Sequence, residues 1–174
     1  MIKSCLLIAG LALLPGCPLL ELQGSVDEVC ATYHDIQVPA VPAGATVSQE
    51  FTIDKLGSLD QLASLDSTLM FTRAELRVTG GIADFAFVRA ARITVASGDP
   101  SSELPTVEIF TCSGCGTPDA SLDIATTAAI DAKAYVATQS LIIGVDLAGQ
   151  APDVAWTMDM DVCMSGKVAY SYTP

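Results

Sequence analysis

The feature that most constrains the fold of this chain is an alternation of apolar and polar residues with a period of two. Between Val47 and Ile53 the two kinds of residue occupy opposite faces, and the same holds between Phe71 and Thr79. Successive side chains of a β-strand point to opposite sides of its sheet, so this period predicts half-buried strands rather than helices. We therefore expect an all-β protein.

About eight such segments follow one another, separated by clusters of Gly, Pro and Asp. They cover residues 28–38, 47–53, 71–79, 84–97, 104–112, 140–147, 154–162 and 167–172. In the fourth segment the apolar phase changes between Arg89 and Arg92, where a β-bulge is predicted. Many short strands with turn signals at this spacing predict an antiparallel β-sandwich, either immunoglobulin-like or jelly-roll-like.

Two stretches depart from this period. Within residues 55–67 leucine recurs at every third position, and residues 128–137 are rich in alanine. Both patterns predict short helical crossovers, one or two in number, at the ends of the sandwich. The sequence shows no internal repeat, low-complexity tract or second linker, which indicates one domain over residues 28–174.

The N-terminal segment has the layout of an export signal. Lys3 is followed by an uncharged apolar run at residues 5–14, and then by Pro15, Gly16 and Cys17. A basic end, an apolar middle and a small residue before the cleavage point are typical of a secretory signal peptide, here residues 1–16. The apolar run is shorter than the roughly 20 residues that a membrane-spanning helix needs.

Residues 14–17, Leu-Pro-Gly-Cys, resemble the lipobox of bacterial lipoproteins, in which a branched apolar residue, a variable position and a small residue precede an invariant cysteine. The resemblance covers residues 1–17 only. It implies cleavage between Gly16 and Cys17, transfer of a diacylglyceryl group to the Cys17 thiol, and acylation of the freed amine, for example with palmitate.

The same resemblance implies a location. Two or three acyl chains exceed the single-chain regime in which membrane binding is reversible, so Cys17 would hold the protein on the bilayer. Residues 17–27 would be a lipidated N-terminus and a short tether. An Asp directly after the cysteine often signals retention in the inner membrane of such proteins, and Pro18 stands there in this chain. The outer membrane is therefore favoured over the inner membrane.

The chain is strongly acidic, with 20 Asp and Glu residues against 8 Lys and Arg residues. Loss of Lys3 with the signal peptide changes the formal charge from −12 to −13. Such a surface repels nucleic-acid phosphates and anionic lipid headgroups, so we expect no nucleic-acid partner and no basic membrane-binding patch. The acidic residues are dispersed along the chain, as is typical of a solvated surface.

Four cysteines remain once the signal is removed and Cys17 is lipidated, namely Cys30, Cys112, Cys115 and Cys163. An even number in an oxidising compartment predicts two disulfides, for which three connectivities exist. We favour Cys30 with Cys163, which would tie the opening segment to the last strands, and Cys112 with Cys115, which needs only a tight turn. In the loop-entropy model, closing a loop of more than 100 residues is worth about 4 to 5 kcal/mol and so short a loop much less.

The pair Cys112 and Cys115 also has the spacing of a thiol–disulfide redox motif. In such enzymes a helix N-terminus lowers the thiol pKa and makes the first cysteine a nucleophile. Here Gly116-Thr117-Pro118 follows the pair and does not open a helix, so a structural disulfide in a hairpin is the favoured interpretation. A zinc site would need two more ligands nearby in sequence, and none is evident.

The sequence offers weaker chemical candidates as well. His34, the one histidine, has no accompanying nucleophile motif and is expected to be non-catalytic. Asp159 and Asp161 share one face of a strand, where two carboxylates could contribute to a calcium site, although a solvated outer face explains them equally well. Trp156 with tyrosines 170 and 172 could form a sugar-binding platform, but Trp156 belongs to an apolar stripe and is expected in the core.

These observations predict a membrane-anchored, exported lipoprotein that acts as a non-catalytic binding or structural module of the cell envelope. Its partners would be the bilayer, through Cys17, and an unknown envelope protein or glycan, with no cofactor. Two alternatives remain open. One is an envelope thiol–disulfide oxidoreductase using Cys112 and Cys115, and the other is a calcium-dependent adhesion module using Asp159 and Asp161.

Overall fold

The alternating pattern of the sequence is realised as two antiparallel sheets in a computed structural model that describes residues 20–42, 44–53, 67–126 and 129–172. The elements of this part are β1 (Leu20–Val38), β2 (Val47–Ile53), β3 (Ser67–Gly80), β4 (Val88–Ser97), β5 (Val107–Ser113), β6 (Ser121–Ala125), the helical turn α1 (Lys133–Val136), β7 (Leu141–Gly149) and β8 (Trp156–Tyr172).

The strand order identifies the sandwich as a jelly roll. Sheet 1 has the order β1-β8-β3-β6, and sheet 2 has the order β2-β7-β4-β5. The first strand therefore pairs with the last, the second with the seventh, the third with the sixth and the fourth with the fifth, as if one long hairpin had been rolled up. The predicted all-β sandwich is confirmed, and of the two types expected the chain forms the jelly roll.

The core lies between the sheets and is apolar. On β8 the residues Met158, Met160 and Val162 are buried and alternate with half-buried Asp159 and Asp161 on the outer face. Within the described part of the chain, no polar or charged residue is fully buried. Hydrophobic burial between the two sheets is therefore the main source of stability.

The described part of the chain has the predicted number of strands, but two of them differ from the prediction. Residues 167–172 are not a separate strand, because β8 continues through Gly166. A side chain at Gly166 would overlap the carbonyl oxygen of Thr68 on β3, so this glycine marks close strand packing rather than a turn. The sequence also failed to predict β6, whose alternation of apolar and polar residues runs over only five positions.

Element boundaries differ as well. Strand β1 begins at Leu20 rather than residue 28, so most of the predicted tether is paired with β8. Strand β4 begins at Val88, and the preceding turn places Phe85 in the core. The predicted bulge lies where expected, since the pairing of β4 with β7 shifts register between Val88 and Ala90.

Of the two predicted helical crossovers, one is visible as the single turn α1, within the predicted range 128–137. The other falls on residues 55–67, of which 55–66 lie outside the described residues. No helix in the described ranges combines the length and the apolar character needed to cross a bilayer.

Candidate functional site

The two disulfides have the connectivity that the sequence favours. Cys30 and Cys163 are direct partners on β1 and β8, with their Cα atoms 4.0 Å apart and a sequence separation of 133. Cys112, at the end of β5, is joined to Cys115 in the following turn. Cys163 is fully buried although it lies on the outer side of β8, because the bridge to Cys30 covers it.

The local structure around Cys112 and Cys115 is that of a stapled turn. Cys112 is a strand residue, Gly114 adopts a left-handed φ of 65°, and the Gly114 N–H donates to the carbonyl oxygen of Arg89 on β4. No helix follows the second cysteine, since the next element is β6. The helix N-terminus that lowers a catalytic thiol pKa is therefore missing from this position.

Asp159, on the outer face of sheet 1, has two partners on β1. Asp159 uses both carboxylate oxygens on a bulge of β1: Oδ1 accepts from the N–H of Asp35 at 3.0 Å, and Oδ2 lies 3.1 Å from Nδ1 of His34. Asp35 adopts a left-handed φ of 55°, which a neighbouring acceptor helps to hold. The Asp35 N–H, and then His34, lower the pKa of the Asp159 carboxyl.

Asp161 lies beside the guanidinium of Arg77. Arg77 lies 3.9 Å from Asp161 and 2.7 Å from Glu75, and Arg73 bridges Glu75 and Glu28 at 3.3 and 3.0 Å. In the described ranges, the cluster dense enough for a metal is Glu28 with Cys30 and Cys163, whose sulfurs are bonded to each other. Both Asp159 and Asp161 therefore already have partners within the protein.

Trp156 occupies the core, as the sequence predicts. Its side chain is 2% exposed and its ring meets those of Phe85 and Phe87 edge-on, with centroids 6.0 and 5.8 Å away. It therefore cannot serve as a platform for sugars. The side chains of Tyr170 and Tyr172 lie outside the described residues.

The outer face of sheet 2 carries a polar triad that the sequence did not indicate. Asp146 on β7 accepts a hydrogen bond from Ser48 Oγ on β2 at 2.6 Å and from Arg92 Nε on β4 at 3.0 Å. The strand register sets Asp146 directly opposite both partners. These two hydrogen bonds, from Ser48 and then Arg92, lower the pKa of the Asp146 carboxyl, so the acceptor is ionised at neutral pH.

Two open hollows meet at this triad. One has a volume of about 340 Å³ and the other of about 790 Å³. Both are bounded by Ser48, Arg92 and Asp146, which form a row across the strands with one hollow on each side. We call the two hollows together the sheet 2 groove. It is lined by Thr46, Ser48, Gln49, Glu50, Ala90, Ala91, Arg92, Thr94, Thr106, Glu108, Thr111, Cys112, Ser113, Gly144, Asp146 and Ala148.

Small residues give the sheet 2 groove its depth. Gly144, Ala148 and Ala90 occupy outward-facing positions on the two central strands β7 and β4, where longer side chains would fill the hollow. The walls are hydroxyl, amide and carboxylate groups. Among the described residues that line it there is no aromatic side chain.

Sequence reasoning missed this groove because its triad is non-local. Ser48 and Asp146 are 98 positions apart, and Arg92 and Asp146 are 54 apart. Polar residues at alternate positions are what any solvated sheet face shows. The one local signal was the run of small outward-facing residues on neighbouring strands.

No protein-family model matches the chain, and no curated protein matches it. Solved structures with a similar fold include the decameric BFDV capsid protein, at 11% identity over 84% of this chain and 99% of that chain, with a TM-score of 0.43. Turnip yellow mosaic virus gives 10% identity over 98% and 93%, with a TM-score of 0.32.

A third similar structure concerns the promiscuous specificity of carbohydrate-binding modules of the β-sandwich superfamily, at 8% identity over 82% of this chain and 55% of that chain, with a TM-score of 0.35. At these identities and TM-scores the likeness identifies neither a family nor a ligand.

Proposed function

We propose that this protein is an exported lipoprotein, held at the outer membrane by acylated Cys17, whose jelly-roll domain is a non-catalytic binding module. The ligand class that we propose is an extended, neutral, hydroxyl-rich glycan of the cell envelope. The observation that carries the proposal is the sheet 2 groove, with its preorganised triad of Ser48, Arg92 and Asp146.

The chemistry of the groove walls supports a polar ligand. Ligand sites of 300–1,000 Å³ are usually lined by apolar and aromatic groups with a few polar ones, whereas hydroxyl, amide and carboxylate groups dominate here. A ligand rich in hydroxyl groups can both donate to and accept from such walls. Without aromatic stacking, its affinity would rest on hydrogen bonds and would be modest.

The charge of the groove favours a neutral ligand over an anionic one. Glu50, Glu108 and Asp146 contribute carboxylates, while Arg92 contributes one guanidinium that already pairs with Asp146. A polyanion would therefore meet net negative potential along the groove, in keeping with the acidity of the whole chain.

The arrangement also supports binding rather than catalysis. Ser48 donates its hydroxyl hydrogen to Asp146, and no imidazole is available as a base there, because His34 lies on the outer face of sheet 1. Cys112 at the groove end is held in a disulfide. A nucleophile, a base and an orienting group do not converge at the groove.

Binding can be tested with the full lipidated chain in detergent, titrated calorimetrically with soluble neutral glycans and with an anionic polysaccharide. Arg92→Ala and Ser48→Ala should each weaken binding of the neutral glycan about 10- to 100-fold, since each removes a hydrogen bond to a charged group that orders the groove. Thr79→Ala, at an exposed position on sheet 1, is the matched control. Equal affinity in all three variants, or no binding of any neutral glycan, would refute the groove assignment.

The anchor has its own test. Intact-protein mass spectrometry of the membrane fraction should give the mass of an acylated chain that begins at Cys17, with four further cysteines alkylated only after reduction. Cys17→Ser should release the protein from the membrane. An unlipidated mass for the unmutated protein would exclude the anchor.

The oxidoreductase alternative makes a different prediction for the Cys112–Cys115 disulfide. A structural bridge should have a reduction potential below about −300 mV, whereas a catalytic one should fall near −120 to −270 mV. For calcium-dependent adhesion, addition of calcium should raise the melting temperature, and we expect no change because Asp159 and Asp161 already have partners.

A further inference from the structure

All eight strands run between two ends of the sandwich, and the register fixes which loops share an end. Leu20 at the start of β1 pairs with Tyr172 near the end of β8, and Val38 pairs with Trp156 at the opposite end. We call these the anchor end and the far end. Following the antiparallel order, the loops at the far end comprise residues 39–42, 44–46, 81–87, 114–120 and 150–155.

Covalent geometry holds the anchor end close to Cys17. Only Pro18 and Leu19 separate Cys17 from Leu20. Three Cα–Cα steps of 3.8 Å span at most about 11 Å. Strand β1 is paired with β8 from Leu20 onward, so the chain has no long flexible tether between the lipidated residue and the sheet.

The length of the strands separates the two ends widely. Strand β1 has 19 residues. At about 3.3 Å per residue, such a strand extends for roughly 50 to 60 Å. If the sandwich is upright on the bilayer, the far end is therefore several Debye lengths from the headgroups.

The charges of the two broad faces oppose a sandwich that lies flat. The outer face of sheet 1 carries more carboxylates than cations, among them Glu28, Glu75 and Asp159. The outer face of sheet 2 does so too, with Glu50 and Glu108 beside the triad and lining the same hollow. Either face would be repelled by anionic headgroups within a Debye length of the bilayer.

We propose that the sandwich stands upright on its β1–β8 end, with loops 81–87, 114–120 and 150–155 directed away from the bilayer. The inference rests on the proposed lipid anchor at Cys17. The sheet 2 groove then runs along the membrane normal, and its end at Ser113 and Cys112 faces outward.

Energy transfer to labelled lipids can test this orientation. The lipidated full chain is reconstituted in vesicles of phosphatidylethanolamine and phosphatidylglycerol that contain an acceptor-labelled headgroup. A donor is attached through a non-canonical azide residue, which leaves the disulfides untouched, at exposed Ala83 of the far end or at exposed Ser101 of the anchor end.

The donor at position 101 should be strongly quenched and the donor at position 83 weakly quenched, with the difference abolished in detergent. Equal quenching would mean that the sandwich lies flat, and stronger quenching at position 83 would mean that it is inverted; both results overturn the proposal. Protein that does not associate with vesicles would instead remove the lipid anchor, and the orientation with it, while the calorimetric test of the groove would still stand.

Discussion

Removal of the Cys30–Cys163 disulfide should be the most destabilising change of its kind in this protein. Strand β1 is an edge strand of sheet 1 that pairs with β8 alone, and the bridge fixes this pairing at its centre. The perturbation is the double variant Cys30→Ala with Cys163→Ala. Its matched control is Cys112→Ala with Cys115→Ala, which removes the other bridge.

The expected magnitudes follow from the lengths of the closed loops. With a separation of 133 residues, the loop-entropy relation gives about 5 kcal/mol for the first bridge. A separation of 3 residues gives about 2 kcal/mol for the second. Because Cys163 is fully buried, the loss of its sulfur adds about 1 kcal/mol to the first variant.

The assay is urea denaturation of the detergent-solubilised proteins, followed by far-UV circular dichroism. With a slope of about 2 kcal/mol/M, the midpoint should fall by about 2.5 to 3 M in the Cys30 and Cys163 variant and by about 1 M in the control. Equal shifts in the two variants would refute the loop-entropy reasoning, and so would a larger shift in the control.

Three further changes probe other parts of the fold. Asp159→Asn should lower the free energy of unfolding by about 1.5 to 3 kcal/mol at neutral pH. Because the pKa of Asp159 is lowered in the folded state, this loss should be present above about pH 4 and should vanish as the pH falls further. Thermal melts of both proteins from pH 7 to pH 2 measure it. Gly81→Ala should be more destabilising than Gly114→Ala. Both positions have a positive φ, at 86° and 65°, but a Cβ at Gly81 would lie 2.6 Å from the carbonyl oxygen of Ala155, whereas a Cβ at Gly114 would meet no atom within 4 Å. Equal losses of stability in urea denaturation would contradict this prediction. Trp156, the one tryptophan, should emit at short wavelength and resist iodide quenching until the protein unfolds; strong quenching of the native protein would show that its ring is not buried.

The alternation of residues predicted the fold class well because it is a local property of each strand. Strand β2 has the predicted bounds, and Trp156 of β8 lies in the core as expected. The errors fall where alternation is short or interrupted, at five-residue β6 and at Gly166 within β8. The sequence alone does not distinguish a glycine in a turn between two strands from a glycine within a strand that allows a neighbouring backbone to approach closely.

The chemistry of the outer faces was less predictable. The sequence placed Asp159 and Asp161 on one face but did not reveal that Arg77 and a bulge of β1 would satisfy them. Adjacent residues of a regular strand point to opposite faces, whereas the bulge of β1 leaves both His34 and Asp35 exposed and brings both into contact with Asp159. Bulges depend on how two distant strands meet, which single-strand periodicity does not encode.

The sequence by itself determined that this chain forms strands and which of their residues face the core, because both follow from the order of side chains along one strand. It also indicated how the cysteines pair, because the pairing follows from the lengths of the loops that the disulfides close. The tertiary structure decided that the sandwich is a jelly roll and that Ser48, Arg92 and Asp146 meet on sheet 2. Strand partners and register are chosen by the packing of two whole faces against each other, and that free energy belongs to the assembled sandwich rather than to any segment of the chain.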